Sequence, residues 1–248
     1  VSDPALADVL RQAGVVGCIA LVDLSSRGVR YSGSPACTER FQPASTFKIL
    51  NALIALEIGV VQENELFPWD RIPQPYQAWE RDLTLREAMA VSDVPVFQAI
   101  ARRIGRARMA EWVKRAEYGN AEIGDQVDRF WLDGPLAITP LEQVRWLVRL
   151  ASGELPFSDR AQAGLHRLMP QEREMGALVL GKTGWTGSKS TPRVGWYVGW
   201  VEQEKPLLAF AVQIFVSSEA QLPLRRSLAL AALRRIGVIQ SDQSESSR

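Results

Sequence analysis

Residues 43–59 read PASTFKILNALIALEIG, and after Lys48 every position is apolar or glycine except Asn51 and Glu57. Such a run reads as a buried helix stopped at Gly59, a normal C′ residue. One of the chain's five lysines, against 24 arginines, therefore lies inside that helix. A buried ammonium is costly unless it is paired or loses its proton. Ser45 stands three residues earlier, one helical turn away on the same face. A hydroxyl beside a desolvated amine is one way to build a nucleophile.

Bulk composition removes several function classes. The 248 residues are 46% hydrophobic and 23% charged, ordinary for a globular protein and ample for a core. Net charge is +1 with no basic stripe, so nucleic acid is not indicated as a partner. No apolar run approaches the roughly 18 residues that span a bilayer. No signal peptide is visible, which a processed, exported chain would also show. The single histidine, His166, and the two cysteines, Cys18 and Cys37, fall short of a zinc ligand set, so no metal is expected. His166, in AQAGLHRLMP, reads as a surface or structural helix residue. Cys18 and Cys37 flank a hairpin signal; an exported protein could bridge them, but sequence does not supply the geometry.

Around the opening stretch, periodicity places a short helix at 3–13 and a hairpin from 15–23 through the turn SSRG into VRYSG. A Pro- and Trp-rich loop at 67–82 leads to helices near 84–91, 93–105 and 107–117. Thr139, Pro140 and Glu142 form a strong helix start before QVRWLVRL, and another helix is expected at 158–169. Strands then return at 177–185, 193–202 and 207–216, and LPLRRSLALAALRRIG closes as a helix. Strands at both ends with helices between imply one sheet built from both termini and a helical middle, with a cleft at the junction.

Four short motifs are each bland alone. Ser45-x-x-Lys48 arises by chance in ordinary helices, Ser92-Asp93-Val94 is an N-cap pattern, Tyr118-Gly119-Asn120 a turn, and Lys182-Thr183-Gly184 a strand end. In this order, S-x-x-K, S-D-N and K-T-G are the signature of serine β-lactamases and penicillin-binding proteins, with Val94 standing here in place of Asn. Adding FWLDGPL (130–136), KTGW (182–185) and LPLRR (222–226), the chain resembles the class D, or OXA-type, β-lactamases from about Cys18 to Ile236.

That resemblance implies an α/β chain of α+β type with the penicillin-recognising serine β-lactamase fold. A mainly antiparallel sheet from both termini is flanked by helices, beside a helical lobe. One domain over 1–248 would hold an α/β lobe (about 1–43 with 171–240) and a helical lobe (about 44–170), with 241–248 a disordered tail. Ser45 would be the acylated nucleophile and Lys48 would carry a carboxylate formed from CO2, the one cofactor-like group expected. Trp131 would hold that group through its indole N–H, or simply pack in the core, and Val94 would keep the lysine pocket dry. Ser92 would relay a proton to the departing ring nitrogen. Lys182, Thr183 and Arg225 would bind the substrate carboxylate, with Gly184 and Trp185 completing the substrate-binding strand end. Arg226 is adjacent, and one helix step decides which of the two faces the cleft. The backbone N–H groups of Ser45 and Trp185 would form the oxyanion hole. Leu132 would line the pocket or pack in the core, and Tyr118, Gly119 and Asn120 would line the site structurally.

The implied activity is β-lactam hydrolysis through a serine acyl-enzyme. Alternatives are a receptor's sensor domain, acylated without turnover, and a penicillin-binding peptidase, with a serine esterase of similar fold behind them. A periplasmic or secreted monomer or homodimer is expected, with a β-lactam as partner and no membrane span. Substrate breadth is expected to depend on loops, with 67–82 and TGSKSTP (186–192) the candidates.

Overall fold

Both ends of the chain contribute strands to one sheet. The computed structural model describes residues 1–174, 176–187, 192–203 and 206–239, so the tail at 241–248 and residues 188–191 of TGSKSTP lie outside the described residues. Helix α1 (Pro4–Gln12) precedes strands β1 (Gly17–Asp23) and β2 (Val29–Tyr31). Helices α2 (Lys48–Glu57), α3 (Leu85–Ala90), α4 (Val94–Ile104), α5 (Arg106–Arg115), α6 (Pro140–Ala151) and α7 (Asp159–Leu168) fill the middle. A two-residue pairing of β3 (Leu66–Phe67) with β4 (Leu83–Thr84) brackets the Pro/Trp-rich stretch. Strands β5 (Gln171–Glu174), β6 (Ala177–Trp185), β7 (Val194–Glu202) and β8 (Pro206–Phe215) follow, then helix α8 (Leu224–Arg235).

The six strands run in the order β2-β1-β8-β7-β6-β5, with every pairing antiparallel. Period-two alternation sends the strands' apolar side chains into two separate cores. Ile19, Leu21, Phe210, Val212 and Val201 join Leu6, Leu10, Leu228 and Leu233 beneath α1 and α8. Ala20, Val22, Trp196, Val198, Ala209 and Ala211 face the other way, onto α6 and the helices beyond it.

Local chemistry explains the helix boundaries. Thr139 Oγ1 accepts from Glu142 N at 2.9 Å while Glu142 Oε2 accepts from Thr139 N at 2.9 Å, the reciprocal capping box legible in the sequence. Gly59, at φ 71°, ends α2 in a Schellman turn: its N–H donates to Leu56 O and that of Val60 to Ala55 O. The α-helical part of that segment begins only at Lys48, because Ala44–Phe47 form a 3-10 turn, a correction to the single helix expected over Ser45 and Lys48. Strand β5 also escaped the sequence reading, since QERE at a sheet edge carries the charges of a loop. Cys18 on β1 and Cys37 in the 3-10 turn Pro35–Cys37 are joined in a disulfide.

Candidate active site

Two strained turns present two hydroxyls to one cavity. Ala44, just before Ser45, has φ 48°, and Ser92 has φ 58°, a region that residues with a Cβ enter only when their surroundings force it. For the first turn the forcing contacts are Ala44 N to Trp131 O (2.9 Å) and Thr46 N to Pro43 O (3.1 Å). For the second they are Asp93 N to Ala88 O (2.8 Å) and the Trp79 indole N–H to Val91 O (3.0 Å). Ser45 is the second residue of its 3-10 turn, so its N–H has no acceptor within that turn.

Lys48 is the first residue of α2 and is fully buried. Its Nζ donates to the carbonyl oxygen of Ser92 and, at 3.2 Å, to Ser92 Oγ. Burial holds its pKa well below the usual lysine range; the nearby Lys182 charge pushes the same way, and Asp93 pulls against both. Lys182, 1% exposed, donates from Nζ to Ser92 Oγ at 2.8 Å and to Thr183 O at 3.0 Å. Burial, then the neighbouring Arg225 charge, brings its pKa down to about 7. The Ser92 hydroxyl is thus bracketed by two amines, both held toward their neutral forms.

Strand β6 brings Lys182 there through Gly184. A Cβ on Gly184 would lie 3.0 Å from Pro43 O and 3.0 Å from Thr46 Cγ2, so the turn that carries Ser45 rests directly on the strand backbone. The ladder also fixes Trp185. Thr186 N donates to Val194 O, so hydrogen-bonded pairs fall on even positions and the Trp185 N–H points away from β7. Arg225, on α8, donates to Gly184 O at 2.7 Å and lines the cavity, while Arg226 turns away to Glu172 and Glu174. Burial lowers the Arg225 pKa to about 10.

The cavity has a volume of about 480 Å³, and Ser45, Ser92, Val94, Leu132, Thr183, Gly184, Trp185 and Arg225 all line it. Trp131 lies behind this wall, fully buried, stacked on Phe47 at 5.3 Å and 24°, and edge-on to Phe130 at 5.0 Å. Its Nε1 has no hydrogen-bond partner among the described residues. Tyr118, Gly119 and Asn120 do not line the cavity; they brace the segment that carries Trp131. Tyr118 donates to Gln143 Oε1 at 2.7 Å. Asn120 holds Pro135 O (2.9 Å) and Ala137 N (3.0 Å), and a Cβ on Gly119 would meet Ala137 O at 2.3 Å. His166 lies elsewhere, against Glu202 at 2.9 Å.

Sequence reasoning missed Tyr76, Trp79, Glu219 and Leu222, which also line the cavity. The Pro/Trp-rich composition signalled a loop around the first two, and Leu222 opens the LPLRR stretch without being assigned to the cavity, but nothing marked Glu219.

The penicillin binding protein transpeptidase domain family matches residues 18–229. Beta-lactamase OXA-10 of Pseudomonas aeruginosa is 40% identical over 228 residues, 91% of this chain and 86% of its own length. The crystal structure of FUS-1 (OXA-85), a class D β-lactamase from Fusobacterium nucleatum subsp. polymorphum, superposes with a TM-score of 0.92 at 34% identity, covering 97% of this chain and all of that one. The chain belongs to the class D β-lactamases. The class D β-lactamase YbXI from Nostoc is similarly close in structure, with a TM-score of 0.89 at 37% identity over 94% of this chain and 98% of that chain. In this class D β-lactamase, then, Ser45 and Ser92 line one cavity, Lys48 and Lys182 meet behind it on the Ser92 hydroxyl, and Trp131 stands behind the wall with an indole N–H that has no partner among the described residues.

Proposed function

We propose that the protein hydrolyses β-lactam antibiotics through an acyl-enzyme on Ser45, with Lys48 carboxylated by CO2 as the general base. The observations that carry this reading are a fully buried amine, Lys48, and, behind the Ser45 cavity, a Trp131 indole N–H with no hydrogen-bond partner among the described residues. An amine reacts with CO2 only when deprotonated, and burial favours that state. A buried N–H without an acceptor is costly, so an anion grown on Lys48 fits the donor that Trp131 offers. When present, that carboxylate supplies an anionic base with the reach of a lysine side chain.

Ser45 Oγ attacks the lactam carbonyl carbon, and its proton passes to the base on Lys48. The Ser45 and Trp185 N–H groups hold the oxyanion of the tetrahedral state, where such donors act most strongly. As the ring C–N bond breaks, Ser92 passes its proton to the leaving nitrogen and regains one along its hydrogen bonds, in net terms the proton taken from Ser45, which frees the base again for the water step. Arg225, Lys182 and Thr183 anchor the substrate carboxylate; an arginine fork suits that role. Val94 and Leu132 supply apolar wall, which slows loss of the lysine's dry environment. Water then attacks the Ser45 ester and releases the opened product.

Export to the periplasm or outside the cell is part of the proposal, supported by the Cys18–Cys37 disulfide. Among the described residues no helix is long and apolar enough to cross a membrane. The test is stoichiometric. Mixed with a chromogenic cephalosporin, the protein is expected to release product far beyond one equivalent; a burst that stops at one acyl group per chain would instead identify a sensor.

A further inference from the structure

Asp93, the middle residue of the second motif, is 2% exposed and does not line the Ser45 cavity. Its Oδ1 accepts from Val96 N at 2.7 Å and caps α4. Its nitrogen is bonded to the Ser92 carbonyl, whose oxygen is the acceptor for Lys48 Nζ. A buried carboxyl therefore stands one peptide unit from the amine that would take up CO2. The charged groups around this pair are few. On the Lys48 side stands Lys182 of β6, with Arg225 of α8 beyond it; the Phe97 ring lies 5.3 Å from Nζ. On the far side Asp93 lines a second cavity of about 230 Å³ with Asp70, Arg81, Arg102 and Arg103. Those arginines are engaged by Glu87 (2.9 Å), Asp128 (2.5 Å) and Glu65 respectively.

We propose that Asp93 is a positioning residue that sets the CO2 demand of this enzyme, its carboxylate weakening carboxylation of Lys48. The inference rests on the base proposed above. In that reaction the amine lone pair forms a C–N bond to CO2, one C–O π pair becomes a carboxylate oxygen, and the amine proton leaves to solvent. The step consumes a neutral amine and creates an anion. A neighbouring carboxylate opposes both changes, because it favours the ammonium and repels the product; Lys182 favours both. Asp93 and Lys48 each feel the other's charge, and burial pushes the Asp93 pKa up, so the opposition fades as Asp93 takes a proton.

Asn and Ser both cap helices without charge, so D93N and D93S separate charge from capping. Titrating each protein with ¹³C-bicarbonate and following the carbamate resonance by NMR, without substrate, reads carboxylation directly; K48A identifies the resonance by its loss. Half-saturating bicarbonate is expected to fall by about threefold or more in both variants, the order of effect when a unit charge leaves a buried amine's side. An unchanged or higher value in a folded D93N or D93S, with the resonance present in the parent, overturns the role of Asp93 alone. No resonance in the parent at saturating bicarbonate overturns the Lys48 base itself, and this inference with it.

Discussion

Replacing Trp131 by phenylalanine should have opposite consequences with and without CO2. In the CO2-free protein the indole Nε1 is a buried donor with no partner among the described residues. Leaving such a group unsatisfied costs about 1–3 kcal/mol, which the phenyl ring would relieve. Against that, the smaller ring loses roughly 40 Å³ beside Phe47 and Phe130, a penalty of about 1 kcal/mol at roughly 24 cal/mol per Å³. W131F should therefore be between neutral and about 2 kcal/mol more stable than the parent under CO2-free conditions. With bicarbonate the sign reverses, because the variant lacks a charge-assisted hydrogen bond of about 1.5–3 kcal/mol. Bicarbonate should then bind about 10- to 100-fold more weakly, at roughly 1.4 kcal/mol per factor of ten. Denaturant melts in CO2-stripped and bicarbonate-containing buffer measure both halves. A W131F protein destabilised by about 3 kcal/mol or more without CO2, and equally so with it, would make the indole a packing residue and refute the reasoning.

K48A should acylate slowly at best and fail to deacylate, so intact-mass measurement after a penicillin pulse should find a lasting adduct on Ser45; rapid return to the free mass would exclude Lys48 as the base. Lys182 falls from 10.5 to about 7 on folding, so the stability this group contributes is present above pH 10.5 and is lost as pH falls through about 7. Stability of the CO2-free parent should therefore rise across that window more steeply than that of K182M, by up to about 1.4 kcal/mol per pH unit; parallel profiles would contradict the burial argument. Reducing the Cys18–Cys37 bridge, which spans a separation of 19 residues, should cost about 3 kcal/mol by chain entropy, read from denaturant midpoints with and without reductant.

The sheet and the site were legible in the sequence to different depths. The short apolar runs GCIALVD and VGWYVGWVE, the Thr139–Glu142 box and the Gly59 stop are local signals, and the elements they mark stand within a residue or two of expectation. The break between the Ala44–Phe47 turn and α2 was hidden because Ser-Thr-Phe continues a helical pattern; a tertiary bond from Ala44 to Trp131 O enforces the break. Three motifs, taken in order as a family signature, named Ser45, Lys48, Ser92 and Lys182, but only the fold shows two amines meeting on one hydroxyl. Sequence named Arg225 with Arg226 one helix step away, and it is the placement of α8 against Gly184 O that sets Arg225 toward the cavity. Glu219 and Leu222 reach the cavity through the chain path after β8, which carries no periodicity to read.

The claim at the centre is that the base is not an encoded side chain but is made on Lys48 from CO2. Removing CO2 from the buffer and following steady-state hydrolysis of a chromogenic β-lactam tests it most directly. The rate should fall progressively after CO2 is stripped and return when bicarbonate is added back. A rate that is unchanged without CO2 would contradict it.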